Sequence, residues 1–222
     1  KATVDHLDDL PMITLQPPMS SSDILVVKRL LDIVVSFTAL VLLSPLFLVI
    51  AALIRLDSRG SVLFFQERVG QGMKRFRIVK FRTMVPEAEA RMKELEASNE
   101  VAGAAFKMKN DPRVTRLGRV LRKLSLDELP QFWNVLKGDM SLVGPRPLPV
   151  RDFLRFEKRT QRRRFSVKPG LTCIWQVNGR HEIGFDEWMD LDLEYIDNWS
   201  LGLDLEIILK TLPAVLRGTG AN

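Results

Sequence analysis

The chain has 222 residues, 33 basic against 27 acidic, for a net charge of +6. That excess favours anionic partners (phosphates, anionic lipid or nucleic acid) without choosing among them. The lone Cys173 excludes an intrachain disulfide and any cysteine-rich metal site, and His6 and His181 are too few for a histidine-based zinc centre.

Residues 1–27 read as a linker or the tail of an upstream region, because Pro17, Pro18 and Ser20 to Ser22 break any period. The chain opens on Lys1, not Met, so further sequence is expected upstream. Leu30 to Ile54 is almost wholly apolar. At about 25 residues it is long enough for a bilayer core of roughly 30 Å. Pro45, after Ser44, sits near its middle and removes the bond to the Val41 carbonyl. Both flanks are basic, with Lys28 and Arg29 before and Arg55 and Arg59 after. Positive flanks prefer the cytoplasm, which favours two helices meeting at Ser44-Pro45 with both ends on one side. A single spanning helix with a proline kink stays open on pattern alone. Asp32 is expected close to the headgroups, beside Lys28 or Arg29.

Ser61 to Phe65 and the alternating Phe76 to Thr83 predict two strands, joined through Gly70 and Gly72 as a hairpin. Pro86 to Ala97 predicts a helix, and Asn99 to Asn110 a loop. From Arg113 the chain turns helical and basic. Val114, Leu117, Val120, Leu121 and Leu124 form an apolar stripe, with Arg116, Arg119, Arg122 and Lys123 off it. Val150 to Phe165 predicts a helix with a basic end, stopped by Pro169-Gly170. Trp188, Leu191, Tyr195 and Trp199 recur at helical spacing, and Leu203 to Leu216 is a last amphipathic helix interrupted by Pro213. The fold class is therefore mainly α, with a small antiparallel β-hairpin.

Five features carry chemistry. Asp127 and Glu128 are adjacent carboxylates in a basic neighbourhood. Ser125 with Glu128 also fits a capping box, and Pro130 fits a first helical turn. The two readings are compatible, since a helix N-terminus attracts phosphate and a carboxylate there can hold Mg²⁺ or attack phosphorus. Lys80 and Arg82, two apart on a strand, share a face and can grip a diphosphate, or are simply solvated. Arg146 stands between two prolines as a pre-oriented anion contact, or as an incidental turn residue. Gln176, Asn178 and Arg180 suit a nucleobase, ribose or phosphate, or form a polar turn. Arg162-Arg163-Arg164 reads as a solvated run or a contact to anionic headgroups. The chain has no P-loop lysine motif, no Rossmann glycine fingerprint and no Gly-x-Ser-x-Gly elbow.

An ordered set of segments carries a resemblance. Lys28 to Asp32, Gln66 to Gly70, Lys80 to Met84, Ser125 to Gln131, Gly144 to Pro147, Lys168 to Thr172 and Gln176 to Arg180 follow one another along the chain. From about residue 28 onward the sequence resembles the bacterial sugar transferases called monotopic polyprenyl-phosphate phosphoglycosyl transferases.

The resemblance implies that a UDP-sugar, glucose or galactose among the candidates, gives its phosphosugar to polyprenyl (undecaprenyl) phosphate, releasing UMP. The product is a polyprenyl-diphosphate sugar, the first membrane step of exopolysaccharide, capsule or O-antigen-type assembly. It implies Asp127 as nucleophile through a covalent phosphosugar intermediate, and Glu128 as ligand to a Mg²⁺ cofactor. Lys80, Arg82, Arg146, Gln176, Asn178 and Arg180 become substrate contacts, and Ser44-Pro45 the break of a re-entrant helix. Residues 28–59 are then the membrane anchor, and 60–222 a catalytic domain with amphipathic interfacial helices on the cytoplasmic face of the bacterial inner membrane. Membrane lipid is an expected partner, nucleic acid is not, and a homo-oligomer is compatible. Asp8 to Pro11 resembles the end of the upstream region in longer members, so the chain is expected to be a C-terminal catalytic part. The rival reading is a non-enzymatic basic module binding anionic lipid, and it leaves the Asp-Glu pair unexplained. A phosphohydrolase working through an aspartyl-phosphate is a further, weaker rival.

Overall fold

The computed structural model describes residues 2–7, 10–15, 22–88, 111–154, 156, 159–178 and 184–216. The apolar run folds as two helices, α1 (Ser22–Leu42) and α2 (Ser44–Asp57), bent by 59° at Leu43. Pro45 has no N–H for the Val41 carbonyl. The Ser44 hydroxyl takes that place, donating to Val41 O at 2.8 Å. The serine thus satisfies the carbonyl that the proline orphans. Among the described residues no single helix is long and apolar enough to cross a membrane; the bent pair together has the length and composition.

The polarity of this pair is inverted relative to a surface helix. Leu42, Leu48 and Leu56 are 72–84 % exposed, whereas Asp32 and Ser36 are buried. Asp32 is buried against the rest of the fold. Its Oδ1 accepts from Ser141 Oγ (3.1 Å) and Leu142 N (2.9 Å), fixing α1 to strand β5 (Ser141–Val143). Arg29 donates to the carbonyls of Val135 and Leu136 (2.6 and 2.7 Å) at the end of a helix over Phe132–Lys137, where a cation is favoured. Lys28 pairs with Asp204 and donates to Val143 O.

Toward the N-terminus, Ala2–Leu7 (β1) and Leu10–Leu15 (β2) pair antiparallel, where a linker was expected. The expected central hairpin forms from β3 (Leu63–Val69) and β4 (Arg75–Phe81), with Phe64 opposite Lys80. A 3₁₀ turn, Gln71–Met73, joins them, and Gly72 takes the positive φ (63°) that this turn requires. The sheet gains a third strand, β6 (Leu148–Pro149), against β3. A short parallel pair, β5 with β7 (Gly170–Thr172), corrects the purely antiparallel expectation.

The remaining α-helices are α3 (Arg116–Lys123), α4 (Phe132–Lys137), α5 (Val150–Leu154), α6 (Ile174–Asn178), α7 (Phe185–Asp197) and α8 (Leu201–Leu216). α3 starts later than Arg113. Val114 bridges Met84, and Thr115 caps the helix by accepting from Gly118 N at 2.9 Å. Only the start of the expected helix over 86–97, the 3₁₀ turn Pro86–Ala88, and none of the loop over 99–110 lie within the described residues.

The helix expected over 150–165 is broken instead into α5 and a 3₁₀ stretch, Arg159–Ser166. Phe153 and Phe165 meet edge-to-face at 5.3 Å, and Phe156 packs with both. A continuous helix would hold Phe153 and Phe165 about 18 Å apart at about 1.5 Å per residue, so aromatic burial outweighs helical continuity.

The main core joins Ile78, Val135, Met140, Val143, Tyr195, Ile196 and Ile207. A second cluster, Ile50, Ile54, Phe81 and Leu121, seals α2 against β4 and α3. Each such aliphatic side chain contributes about 1.5–3 kcal/mol when fully buried.

Candidate active site

Strand β4 and the 3₁₀ turn Leu126–Gln131 lie against each other and bring Lys80 to the acidic pair. The capping box does not form. Ser125 adopts a left-handed backbone (φ 53°) and makes no side-chain cap. Glu128 turns to two cations instead. Its Oε1 accepts from Lys80 Nζ and Arg146 Nη2, each at 2.6 Å, and its Oε2 lies 3.4 Å from Arg146 Nη1.

These contacts divide the two carboxylates. Burial alone would raise the Glu128 carboxyl, but Arg146 and Lys80 outweigh it and hold the group well below the usual carboxylate range. Burial raises Asp127, and the neighbouring Glu128 charge adds to that; Lys80, Arg122 and Arg146 pull the other way. No described residue hydrogen-bonds the Asp127 carboxylate, which leaves its lone pairs for a ligand. A carboxylate of raised proton affinity is the better nucleophile once ionised.

Two cations that the sequence reading did not assign belong to this neighbourhood. Arg122, on α3, donates from Nε to Thr83 Oγ1 at 2.9 Å and feels the charge of Asp127. Arg68, on β3, donates to Pro147 O at 3.0 Å, and burial lowers its guanidinium to about 10. Arg122 occurs in an ordinary basic run, and only the fold distinguishes it. The Gln66 to Gly70 segment was the available signal for Arg68.

Arg146 stands on a loop whose backbone is pinned. Gly144 N donates to Thr172 O (3.0 Å), and Gly170 N to Pro145 O (2.9 Å). The chains approach so closely that a Cβ on Gly170 would lie 2.1 Å from Gly144 N. Only glycine fits there.

Strand β4 ends at Phe81, and Arg82 donates to the carbonyls of Ser58 and Arg59 (2.8 and 2.9 Å) beyond α2, so it does not join Lys80 on one ligand-facing side. Gln176 is buried on α6 and accepts from Cys173 Sγ at 3.1 Å. Asn178 ends α6, and its side chain, like all of Arg180, lies outside the described residues. Ser44 and Pro45 form the helix break. Arg162 and Arg163 are exposed, but Arg164 is buried, against the solvated run expected.

The profile of the family described as bacterial sugar transferase matches residues 24–218. The chain belongs to the bacterial sugar transferase family. The chain is 47 % identical over 199 residues to the galactosyl transferase CpsE of Streptococcus agalactiae, a match covering 89 % of this chain and 44 % of CpsE. It is 42 % identical over 198 residues to the exopolysaccharide production protein ExoY of Rhizobium meliloti, covering 87 % of each. Against the undecaprenyl-phosphate galactose phosphotransferase of Salmonella typhimurium, the chain is 43 % identical over 198 residues, 87 % of this chain and 41 % of that protein. It therefore spans less than half of the first and third relatives and most of the second.

Proposed function

We propose that this sugar transferase moves a phosphosugar from a UDP-sugar to polyprenyl phosphate, forming a polyprenyl-diphosphate sugar and UMP. The observation that carries the reading is the divided carboxylate pair: Glu128 fixed as an anion by Lys80 and Arg146, and Asp127 beside it with its lone pairs unengaged. An Asp127 oxygen attacks the sugar-bearing phosphorus, and the P–O bond to UMP breaks with its electrons leaving on UMP. An oxygen of polyprenyl phosphate then attacks the same phosphorus and returns the Asp127 carboxylate. Two awkward substrates need not meet at once. Lys80, Arg122 and Arg146 supply positive charge where the diphosphate loses its leaving group.

The donor set fits Mg²⁺. Two adjacent carboxylates are hard oxygen ligands, and Glu128 Oε2 is only weakly engaged. Among the described residues no third His, Cys, Asp or Glu joins them. Mg²⁺ commonly takes one or two carboxylates with substrate phosphates and water completing its shell. When bound, the ion would neutralise charge on the departing phosphate.

The exposed apolar faces of α1 and α2, with Asp32 and Ser36 turned inward, support a re-entrant anchor, and the basic residues on both flanks support the cytoplasmic face of the membrane. Polyprenyl phosphate then enters from the headgroup layer. The names of the relatives point to galactose as the first sugar to try, and to exopolysaccharide-type assembly as the pathway.

UMP release is the test. The membrane-inserted enzyme is offered UDP-galactose, UDP-glucose and UDP-N-acetylhexosamines with Mg²⁺, with and without undecaprenyl phosphate. UMP together with a lipid-linked diphosphate sugar is expected. Free sugar phosphate independent of the lipid would mean a hydrolase, and anionic-lipid binding without turnover of any donor a binding module.

A further inference from the structure

Arg146 is held from behind by a second arginine. Arg164 is 2 % exposed, and its Nη2 donates to the main-chain oxygen of Arg146 at 2.7 Å. The same nitrogen lies 2.7 Å from Asp192 Oδ2 on α7, itself 2 % exposed. The guanidinium stacks over the Trp188 ring at 5.2 Å from its centroid. Arg68 holds the next carbonyl, that of Pro147. Gly170 holds the preceding one, that of Pro145. Three successive carbonyls of the loop are thus fixed from three separate segments, and one of the donors is a fully buried cation.

A buried arginine is costly unless it is paired and hydrogen-bonded. Loop burial alone does not call for a charge at this position. Prolines flank Arg146 and fix φ on both sides of it, and Pro147 confines the Arg146 ψ to the broad extended region without fixing it within that region. A hydrogen bond to the Arg146 carbonyl restrains that remaining rotation, and with it the direction in which the side chain leaves the loop toward Glu128.

We propose that Arg164, backed by Asp192, is a positioning residue that sets the orientation of the Arg146 guanidinium at the Asp127–Glu128 centre. The inference rests on the reading of that centre as the reaction site. Arg164 does not touch substrate; it acts through Arg146.

The test is a double-mutant cycle on the full chain in membranes, at pH 8, with the UDP-sugar that turns over and with undecaprenyl phosphate. Arg164→Met combined with Asp192→Asn removes both buried charges together, and Arg164→Lys is the gentler second variant. Misplacing Arg146 is expected to raise the donor KM about tenfold while leaving the lipid KM unchanged, since small displacements of a positioning group carry large kinetic costs. In an Arg146→Ala background the same changes are expected to have less than about a twofold effect, because coupled residues are not additive. A merely structural role would lower the amount of active enzyme without moving the donor KM, and would act equally in both backgrounds. Either result overturns the inference. If the double variant does not fold, an unchanged donor KM in Arg164→Lys does so as well. Asp127→Asn runs alongside. Full activity in that variant, or no turnover of any donor by the wild type, would sink the reading of the site and this inference with it. Loss of turnover in Asp127→Asn with unaltered kinetics in the Arg164 variants would sink this inference alone.

Discussion

Asp127 and Glu128 are neighbours of opposite energetic character, and that contrast is testable. Glu128 is locked to Lys80 and Arg146 in a largely buried setting. Glu128→Gln leaves two cations facing each other without their anion, a change that costs about 3–5 kcal/mol in buried pairs. It is expected to lower the melting temperature and abolish UMP release together. Asp127 has burial working against its charge and no hydrogen bond to lose. Asp127→Asn is expected to melt at or above the wild-type temperature and still release no UMP. A parallel melting and UMP assay checks both, and wild-type turnover in Asp127→Asn would remove the covalent step. Burial pushes Asp192 up to about 6 from an ordinary 3.8, against the pull of Arg164. The folded state then holds a proton that the unfolded chain releases first, so this contribution is complete below about pH 3.8 and is lost as pH rises through 6. By linkage the loss is at most about 3 kcal/mol. Melting of wild type and Asp192→Asn from pH 4 to 7 should show wild type losing ground to the variant; a constant difference would refute the shift. At this scale the sequence exposes Asp127, Glu128, Lys80 and Arg146, because adjacency, strand position and flanking prolines are local facts. It hides Arg68, Arg122 and Arg164. Arg122 and Arg164 lie in ordinary basic runs and Arg68 alone beside Glu67, and the role of each depends on a carbonyl, hydroxyl or carboxylate that only the tertiary fold brings near.

Among the elements, the α1–α2 break is the one with the plainest local cause. Pro45 orphans Val41 O, and Ser44 Oγ satisfies it at 2.8 Å. If the pair lies in a bilayer as proposed, an unpaired carbonyl there would cost several kcal/mol, which the serine's bond avoids. Pro45→Ala restores the N–H and is expected to let the pair straighten. Cysteine labelling beside Lys28 and Arg59 would then find the two flanks on opposite faces. Both flanks still on one face would show that packing of Ile50 and Ile54 against Phe81, not the proline, sets the bend. The hairpin of β3 and β4 was equally legible, since alternation and a Gly-rich turn are local signals. The third strand β6 and the parallel β5–β7 pair were not. They join segments far apart in the chain, and their short runs carry no period of their own. The helix expected over 150–165 failed for a related reason: its helical pattern was real, but the Phe153, Phe156 and Phe165 rings gain more by meeting than the helix gains by continuing.

Across the whole molecule, the α1–α2 pair is wired into the rest of the fold and does not simply precede it. Lys28 on α1 pairs with Asp204 on α8 and donates to Val143 O on β5 at 3.1 Å. Asp204 also accepts from Tyr195 Oη at 2.7 Å and Trp199 Nε1 at 3.2 Å. One aspartate therefore collects α1, α7 and α8 at the foot of β5. Because Lys28 sits N-terminal to the apolar faces of α1 and α2, this contact ties the orientation of α1 to that of α8 and β5. Breaking it from one side leaves a buried charge, whereas removing both partners leaves an apolar gap that the surroundings can fill. Asp204→Leu is accordingly expected to destabilise by about 3–5 kcal/mol, and Lys28→Met with Asp204→Leu by much less. Melting of the four members of that cycle in one detergent measures the coupling. The double variant should keep its melting temperature yet release UMP more slowly from undecaprenyl phosphate in bilayers, with turnover on a short-chain polyprenyl phosphate in detergent unchanged. Equal loss in both settings would mean that the contact serves stability alone. Loss only in bilayers would mean that the ion pair holds the reaction centre at the height where the lipid phosphate arrives.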